Sequence, residues 1–482
     1  MNYGNLTLHT DKYQINMMYA HWVQKSLDQK ATFEAFFRKL PFGNGYAVFA
    51  GLERIVQYIN QIKFTDEDLN YLRQQEEGYD EGFLMELSNF RFTGDIYSVP
   101  EGTLVFQNEP LIRVEARIFE AQLIETALLN FMNFQTLIAT KASRIKRISP
   151  NDIFLEFGTR RAQEADAAVW GARAAYIAGF HATSNLRAGM LFNIPTKGTH
   201  AHSWIQDHNT EKEAFQKFAD ALPGQVSLLV DTYDTLKSGV PNAIKVAKHI
   251  EQQGKRMQSI RIDSGDLAYL SIQARKMLDD AGLNYVKIIA SSDLDEHVIT
   301  DLKAQNAKID IWGVGTQLIT AADQPSLGGV YKLVAREEHG RSIPVIKISG
   351  NPEKVTNPGA KEVYRIINKE TGKAEADYLA LCGEDEISSR KPLKLFDPIH
   401  TYQKKVLLEY EAISLLIPVY KAGIQVYQLP FLEDIRKYHE RQFDYFWPQY
   451  LRKLNPEVYR VNLSQSTWDL KMELIDKHRQ EQ

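Results

Sequence analysis

Between about residues 150 and 335, short apolar runs of strand length alternate with amphipathic helical stretches. The runs are Ile153–Phe157, Tyr176–Phe180, Ile194–Pro195, Val226–Val230, Ser259–Ile262, Val286–Ala290, Ile309–Trp312 and Val330–Val334. Helical pattern fills most of the gaps, as in Ala162–Ile177, Asn242–Glu251, Leu267–Ala281 and Asp295–Gln305. A strand–helix repeat of roughly 20 to 35 residues marks βα units on a parallel sheet. So many units favour a closed β/α barrel, with a doubly wound open sheet as the competing arrangement.

The flanks differ. Thr7–Val23 reads as a helix with Ile15, Met18 and Trp22 on one stripe, and Leu123–Ile145 as a longer one ending in Lys141, Arg144, Lys146 and Arg147. Phe92–Glu115 alternates around the turn Pro100–Gly102, and Glu362–Asn368 with Ala374–Leu381 reads as a hairpin. From Phe431 the chain reads as charged and aromatic surface helices. The expected class is therefore α/β: an irregular β/α barrel over 141–344, an N-terminal α+β domain over 1–140 joined by part of 345–430, and a C-terminal hairpin and helical extension over 345–482. Length agrees, since 482 residues correspond to about two to four domains.

Composition removes several classes of function. There are 57 basic and 61 acidic residues, for a net charge of −4, and no basic domain stands out, so nucleic acid is not an expected partner. A single cysteine, Cys382, excludes a disulfide framework and a cysteine-ligated metal. No uncharged apolar run reaches the roughly 18 residues of a membrane span. The first residues, MNYGNLTLHTDKYQ, have neither a basic nor an apolar signal region, so a cytoplasmic protein is expected.

Polar residues gather directly after the expected strands. They include Gly158-Thr159-Arg160-Arg161, His181–Asn185, Lys197–Ser203 with His200 and His202, Asp231–Thr235, Asp263–Asp266, Ser291–Asp293 and Gly313-Val314-Gly315-Thr316. In a β/α barrel these ends share one face, and that face carries the active site. Bare backbone at Gly313–Thr316 and helix starts suit phosphate, and arginines add charge-assisted contacts. Asp231, Asp234, Asp263 and Asp266 suit ribose hydroxyls or a magnesium ion arriving with polyphosphate. The expected ligand is anionic, phosphorylated and sugar-bearing. Plainer readings stand beside these: one of Arg160 and Arg161 pairing with Glu164, either histidine as a satisfied loop residue, Phe157 as core and Tyr13 as helix surface.

Together, Thr10-Asp11-Lys12-Tyr13-Gln14, Glu156–Arg161, Gly198–Ser203, Ile260–Asp266 and Gly313–Thr316 resemble the nicotinate phosphoribosyltransferase family over essentially the whole chain. The resemblance implies a type II phosphoribosyltransferase fold and a homodimer with shared active sites. It implies transfer of phosphoribosyl from phosphoribosyl pyrophosphate to nicotinate, giving nicotinate mononucleotide and pyrophosphate in NAD salvage. Magnesium and ATP are the implied cofactor and co-substrate, with ATP hydrolysis coupled through phosphorylated His202. By motif match, Phe157 and the partner subunit's Tyr13 would sandwich the ring, and Arg261 would steer the carboxylate with Thr199 and Ser203 nearby. Asp263 would bind ribose hydroxyls, and Arg160, Gly313, Gly315 and Thr316 the 5′-phosphate. Asp231 and Asp234 are the candidate metal contacts.

Two alternatives stay open. A nicotinamide phosphoribosyltransferase would want a carboxylate acceptor in the loop that here reads His181-Ala182-Thr183-Ser184. A phosphosugar aldolase or isomerase would want a buried lysine or carboxylate base at a strand end, and Lys197 is the only lysine candidate.

Overall fold

Apolar side chains on successive strands of the middle region have one place to go, a shared interior, and Phe154, Leu228, Ile260, Ile288 and Trp312 are all fully buried there. Six parallel strands result, in the spatial order Ala182–Thr183, Ile153–Glu156, Ile311–Val314, Lys287–Ser292, Ser259–Ile262, Ser227–Leu229. Helices Glu164–Ile177, Val240–Glu251, Leu267–Asp280 and Glu296–Ala304 alternate with them. Their starts are set by local chemistry. Asp266 accepts the N–H of Tyr269, and Asp295 accepts those of His297 and Val298, filling donors a helix start leaves open. Trp312 is tolerated in the core because its indole N–H donates to Asp152 at 2.8 Å.

The computed structural model describes residues 5–351, 354–384, 387, 392–398 and 400–480. The chain divides into two compact units, Lys141–Pro325 and a second assembled from Met1–Thr140 and Ser326–Gln482. The α/β class expected from sequence is found, with the barrel as a curled half-barrel. Among the described residues the parallel sheet stops at six strands, extended at one edge by a single bridge from Thr183 to Thr196, and is not a closed ring.

Three expected strands are corrected. Tyr176–Phe180 is the end of helix Glu164–Ile177 and the turn after it; that helix is buried at every position from Ala168 to Ile177, so its apolar run carries no helical period. Ile194–Pro195 is not a strand, and only Thr196 makes the bridge. Val330–Val334 lies in strand Gly329–Glu338, which leaves the parallel sheet and pairs antiparallel with Lys30–Phe37, placing Tyr331 opposite Ala35.

In the unit formed by the two ends of the chain, a seven-stranded antiparallel sheet runs Arg341–Pro344, Gly329–Glu338, Lys30–Phe37, Ile112–Arg117, Asp95–Ser98, Ile417–Lys421, Ile424–Gln425. A four-stranded sheet contains the expected hairpin, Lys361–Asn368 with Ala374–Leu381. Its buried Arg365 makes a forked pair with Asp377 at 2.9 and 2.7 Å, and the Tyr459 hydroxyl donates to the same carboxylate at 3.0 Å. Such a pair tolerates burial only because its hydrogen-bonding capacity is filled. The N-terminal helix is shorter than expected, Lys12–Val23, with Ile15 and Met18 buried. The C-terminal helices are Leu432–Gln442 and Gln465–Gln480. No helix among the described residues is long and apolar enough to cross a membrane.

Candidate active site

Arg261 and Asp263 are two residues apart at the end of strand Ser259–Ile262, so their side chains leave the sheet on the same side. They meet there: an Arg261 Nη donates to Asp263 Oδ1 at 2.8 Å. Arg261 Nε donates to Ser291 Oγ at 2.7 Å, and its other Nη to Thr199 Oγ1 at 3.1 Å. These bonds use three of the five guanidinium N–H groups. The guanidinium carbon lies 5.5 Å from the centroid of the Phe157 ring, within cation–π range.

Phe157 follows strand Ile153–Glu156, and its N–H donates to Val314 O at 2.8 Å, which ties it to Gly313–Thr316 on the neighbouring strand. The approach is close enough to require glycine. A methyl on Gly313 would stand 2.6 Å from the Phe157 ring, and one on Gly158 would stand 2.6 Å from Ile319. Beneath this turn lies Glu156, buried at the strand's end. It accepts the N–H of Gly158 and, at 2.6 Å, the hydroxyl of Thr183. Burial pushes its carboxyl up, against the pull of those two donors.

The two histidines separate cleanly. His200, 8% exposed, accepts the Leu229 N–H on Nε2 at 3.2 Å and faces Ala201 O with Nδ1 at 3.4 Å. Burial first, and then the charge of Arg261, push its imidazole down to about 4, so it is neutral and structural at physiological pH. His202 opens the short helix His202–Gln206 with its side chain 41% exposed. Its Nδ1 is 3.1 Å from Thr232 Oγ1, and its Nε2 is 4.0 Å from Asp263 Oδ2. Asp263 is held below the ordinary carboxylate range. Burial opposes this, but Ser291's hydrogen bond and Arg261 outweigh it.

Asp231 belongs to the same cluster. Its Oδ2 accepts the N–H of Asp263 at 3.0 Å and the Ser264 hydroxyl at 2.6 Å, while Oδ1 is buried with no hydrogen-bond partner. Asp234 is occupied differently, capping Leu236 and Lys237 at 3.1 and 2.8 Å. The Lys237 N–H is the main reason its carboxyl is held down. Among the described residues, no group of three or more His, Cys, Asp or Glu side chains is placed to hold a metal.

The half-barrel mouth therefore brings together Phe157, Thr199, His202, Arg261, Asp263, Asp231 and the Gly313–Gly315 backbone. Ser203 is exposed one residue after His202, and Thr316 starts the short helix Thr316–Ile319. Arg160 and Arg161 are exposed, and neither pairs with Glu164, whose carboxylate instead accepts the Ala165 N–H at 2.9 Å. Tyr13 lies in the other unit, half exposed on helix Lys12–Val23. His181 is corrected: it precedes strand Ala182–Thr183, and its Nδ1 accepts the Phe154 N–H at 3.1 Å. Ser291 and Thr232, legible in the sequence only as strand-end polar residues, and Glu156, legible only as part of the Glu156–Arg161 motif, take their roles from these contacts. A carboxylate closing an otherwise apolar strand was a usable signal for Glu156; the hydroxyls offered none by type.

Comparison with known proteins follows the same lines. Family profiles described as the nicotinate phosphoribosyltransferase N-terminal domain, family and C-terminal domain match residues 8–133, 153–378 and 360–471. The chain is 56% identical over 473 residues to nicotinate phosphoribosyltransferase of Bacillus subtilis, covering 98% of this chain and 95% of that one. It is 29% identical over 512 residues to the human enzyme of that name, covering 95% and 94%. The crystal structure of human nicotinic acid phosphoribosyltransferase superposes with a TM-score of 0.86 at 28% identity, covering 96% of this chain and 99% of that one.

Proposed function

The chain belongs to the nicotinate phosphoribosyltransferase family, and from that premise we propose that it joins nicotinate to phosphoribosyl pyrophosphate with ATP hydrolysis coupled through His202, in NAD salvage. The pyridine nitrogen carries no proton at neutral pH, so no general base is required. A bond forms from that nitrogen to the anomeric carbon as the bond to pyrophosphate breaks, and the ring becomes a pyridinium. The work of the protein is to align the two reactants and stabilise a sugar with cationic character.

One observation carries this reading: Arg261, hydrogen-bonded to Ser291, Thr199 and Asp263 and 5.5 Å from the Phe157 ring centroid, has two N–H groups left beside an aromatic ring. A flat ring bearing a carboxylate matches both features. Thr199, bonded to Arg261, and Ser203 would stand near that carboxylate, and Tyr13 of a partner subunit would cover the ring's other face in a homodimer. Asp263 Oδ2 would take the ribose hydroxyls. Arg160, Gly313, Gly315 and Thr316 would take the 5′-phosphate, where exposed charge stands beside open backbone. Magnesium would enter with the pyrophosphate as part of the substrate. Asp231 Oδ1, buried and without a partner, fits a metal-bound water, and Asp234 orders its own loop.

In the ATP half-reaction His202 Nε2 would attack the terminal phosphorus of ATP, releasing ADP. Water later cleaves the phosphohistidine to inorganic phosphate and free imidazole. Support comes from the contrast between neighbours: His200 Nε2 is occupied by a backbone donor, whereas the His202 ring is open to solvent and anchored through Nδ1. A soluble chain working in the cytoplasm fits these substrates. The aldolase alternative loses its lysine base, because Lys197 is exposed, and the buried strand-end carboxylate of Glu156 is engaged by the Gly158 N–H and the Thr183 hydroxyl.

The test is an assay of the full chain with nicotinate and with nicotinamide, each with and without ATP. With phosphoribosyl pyrophosphate and magnesium present throughout, nicotinate but not nicotinamide should give mononucleotide, and ATP should raise its yield. Preference for nicotinamide would overturn the substrate reading. Full ATP stimulation in His202→Ala would overturn the phosphohistidine.

A further inference from the structure

We infer that Ser291 is a positioning residue that sets the guanidinium of Arg261, and with it the carboxylate-binding end of the aromatic-acid site; this rests on the reaction proposed above. Ser291 sits near the end of strand Lys287–Ser292, between the strands that carry Arg261 and Gly313. Register places Ile289 opposite Arg261 and Ser291 opposite Gly313, so alternation turns Ser291 to the face that carries Arg261 and Asp263. The residue is 3% exposed, and water cannot easily replace its hydroxyl.

A serine hydroxyl has one hydrogen to give and lone pairs to receive. Here both capacities are used on the site: Ser291 Oγ accepts Arg261 Nε–H at 2.7 Å and donates to Asp263 Oδ1. Asp263 Oδ1 also receives an Arg261 Nη at 2.8 Å. Arginine, serine and aspartate thus form a closed ring of hydrogen bonds. A guanidinium held only through its Nη atoms can still rock about its long axis. A third bond at Nε removes that freedom, so the plane and the two remaining N–H groups point one way. With that direction fixed in advance, Arg261 meets a planar carboxylate in a forked geometry without the cost of ordering its side chain on binding.

Ser291→Ala deletes the hydroxyl with the least change of shape, and Ser291→Thr restores it. Kinetics of the full chain should show KM for nicotinate rising about tenfold in Ser291→Ala, the scale of one charge-assisted hydrogen bond, with kcat changed far less. Ser291→Thr should recover most of the lost affinity. A merely structural role would lower the melting temperature and disturb nicotinate and phosphoribosyl pyrophosphate alike. A second readout needs no turnover: with 15N-arginine labelling, the Nε–H resonance of Arg261, identified through Arg261→Lys, should exchange slowly with solvent in the wild type and rapidly in Ser291→Ala.

Unchanged KM and unchanged exchange in Ser291→Ala overturn the inference, as does Ser291→Thr behaving like Ser291→Ala while melting like the wild type. If the wild type makes no nicotinate mononucleotide while Ser291→Ala still frees the Arg261 Nε–H, the proposed reaction falls and the positioning of Arg261 stands.

Discussion

His200 and His202 are separated by one alanine, yet His200 turns its Nε2 onto the backbone N–H of Leu229 while His202 turns its Nε2 toward Asp263. Chain direction explains it. The segment enters extended and buries His200 against Phe215 and Phe218, then starts a helix at His202 and leaves that ring at the surface. The two variants should therefore fail differently. His202→Ala should fold normally and lose acid-labile phosphate labelling from ATP, whereas His200→Gln should keep the label and lose stability. Labelling with [γ-32P]ATP beside thermal melts distinguishes them.

The same burial predicts a pH effect. His200 has its folded-state value lowered to about 4, against an ordinary value of 6.5, so between those limits the unfolded chain binds more protons. Stability contributed by neutral His200 is full above pH 6.5 and is lost as pH falls toward 4, on the order of 3 kcal/mol in all. Urea titrations from pH 7 to 4 should show this slope, and His200→Gln should flatten it.

Gly313→Ala introduces a methyl 2.6 Å from the Phe157 ring. The ring must move, because the other party is a strand backbone. The expected result is a rise of roughly tenfold or more in KM for nicotinate, consistent with about 1.4 kcal/mol or more of lost binding. Steady-state kinetics with phosphoribosyl pyrophosphate saturating gives the number.

Glu156 holds the backbone turn that follows Phe157 through the Gly158 N–H and ties it to the Thr183 hydroxyl on the next strand. Glu156→Ala leaves a backbone N–H and a hydroxyl unpaired in a buried place, each costing about 1–3 kcal/mol. A melting temperature lowered by several degrees and weaker nicotinate binding are expected, while Glu156→Gln, which keeps a carbonyl acceptor, should retain more of both.

Chelation supplies a fifth check. Excess EDTA should stop mononucleotide formation but leave the melting temperature of the ligand-free chain unchanged, as expected for magnesium that enters with pyrophosphate rather than residing in the fold.

Much of the site was readable because strand ends announce themselves. Arg261, Asp263, Phe157 and Gly313 each follow or close an apolar run, and parallel topology then carries them to one mouth. What escaped depended on partners distant in sequence. Ser291 stands among the polar strand-end residues in the sequence, but its role appears only when Arg261 and Asp263 arrive on the adjacent strand. The misread strands have physical causes as well. Tyr176 and Ile177 sit in a helix buried on all sides, which erases its period. Val330–Val334 has a genuine strand pattern, but nothing local says whether its neighbours run parallel or antiparallel, and its partner Lys30–Phe37 lies far upstream.

That pairing has a consequence for biogenesis. The parallel-sheet unit is an insertion, so Lys30–Phe37, carrying Phe33 and Phe37, emerges from the ribosome about 300 residues before the strand that will cover its second edge. At translation speeds of about 5–20 residues per second the nascent chain carries this sticky border uncovered for roughly 15 to 60 s. A half-built sheet with an open edge during that interval is the kind of surface that holding chaperones cover.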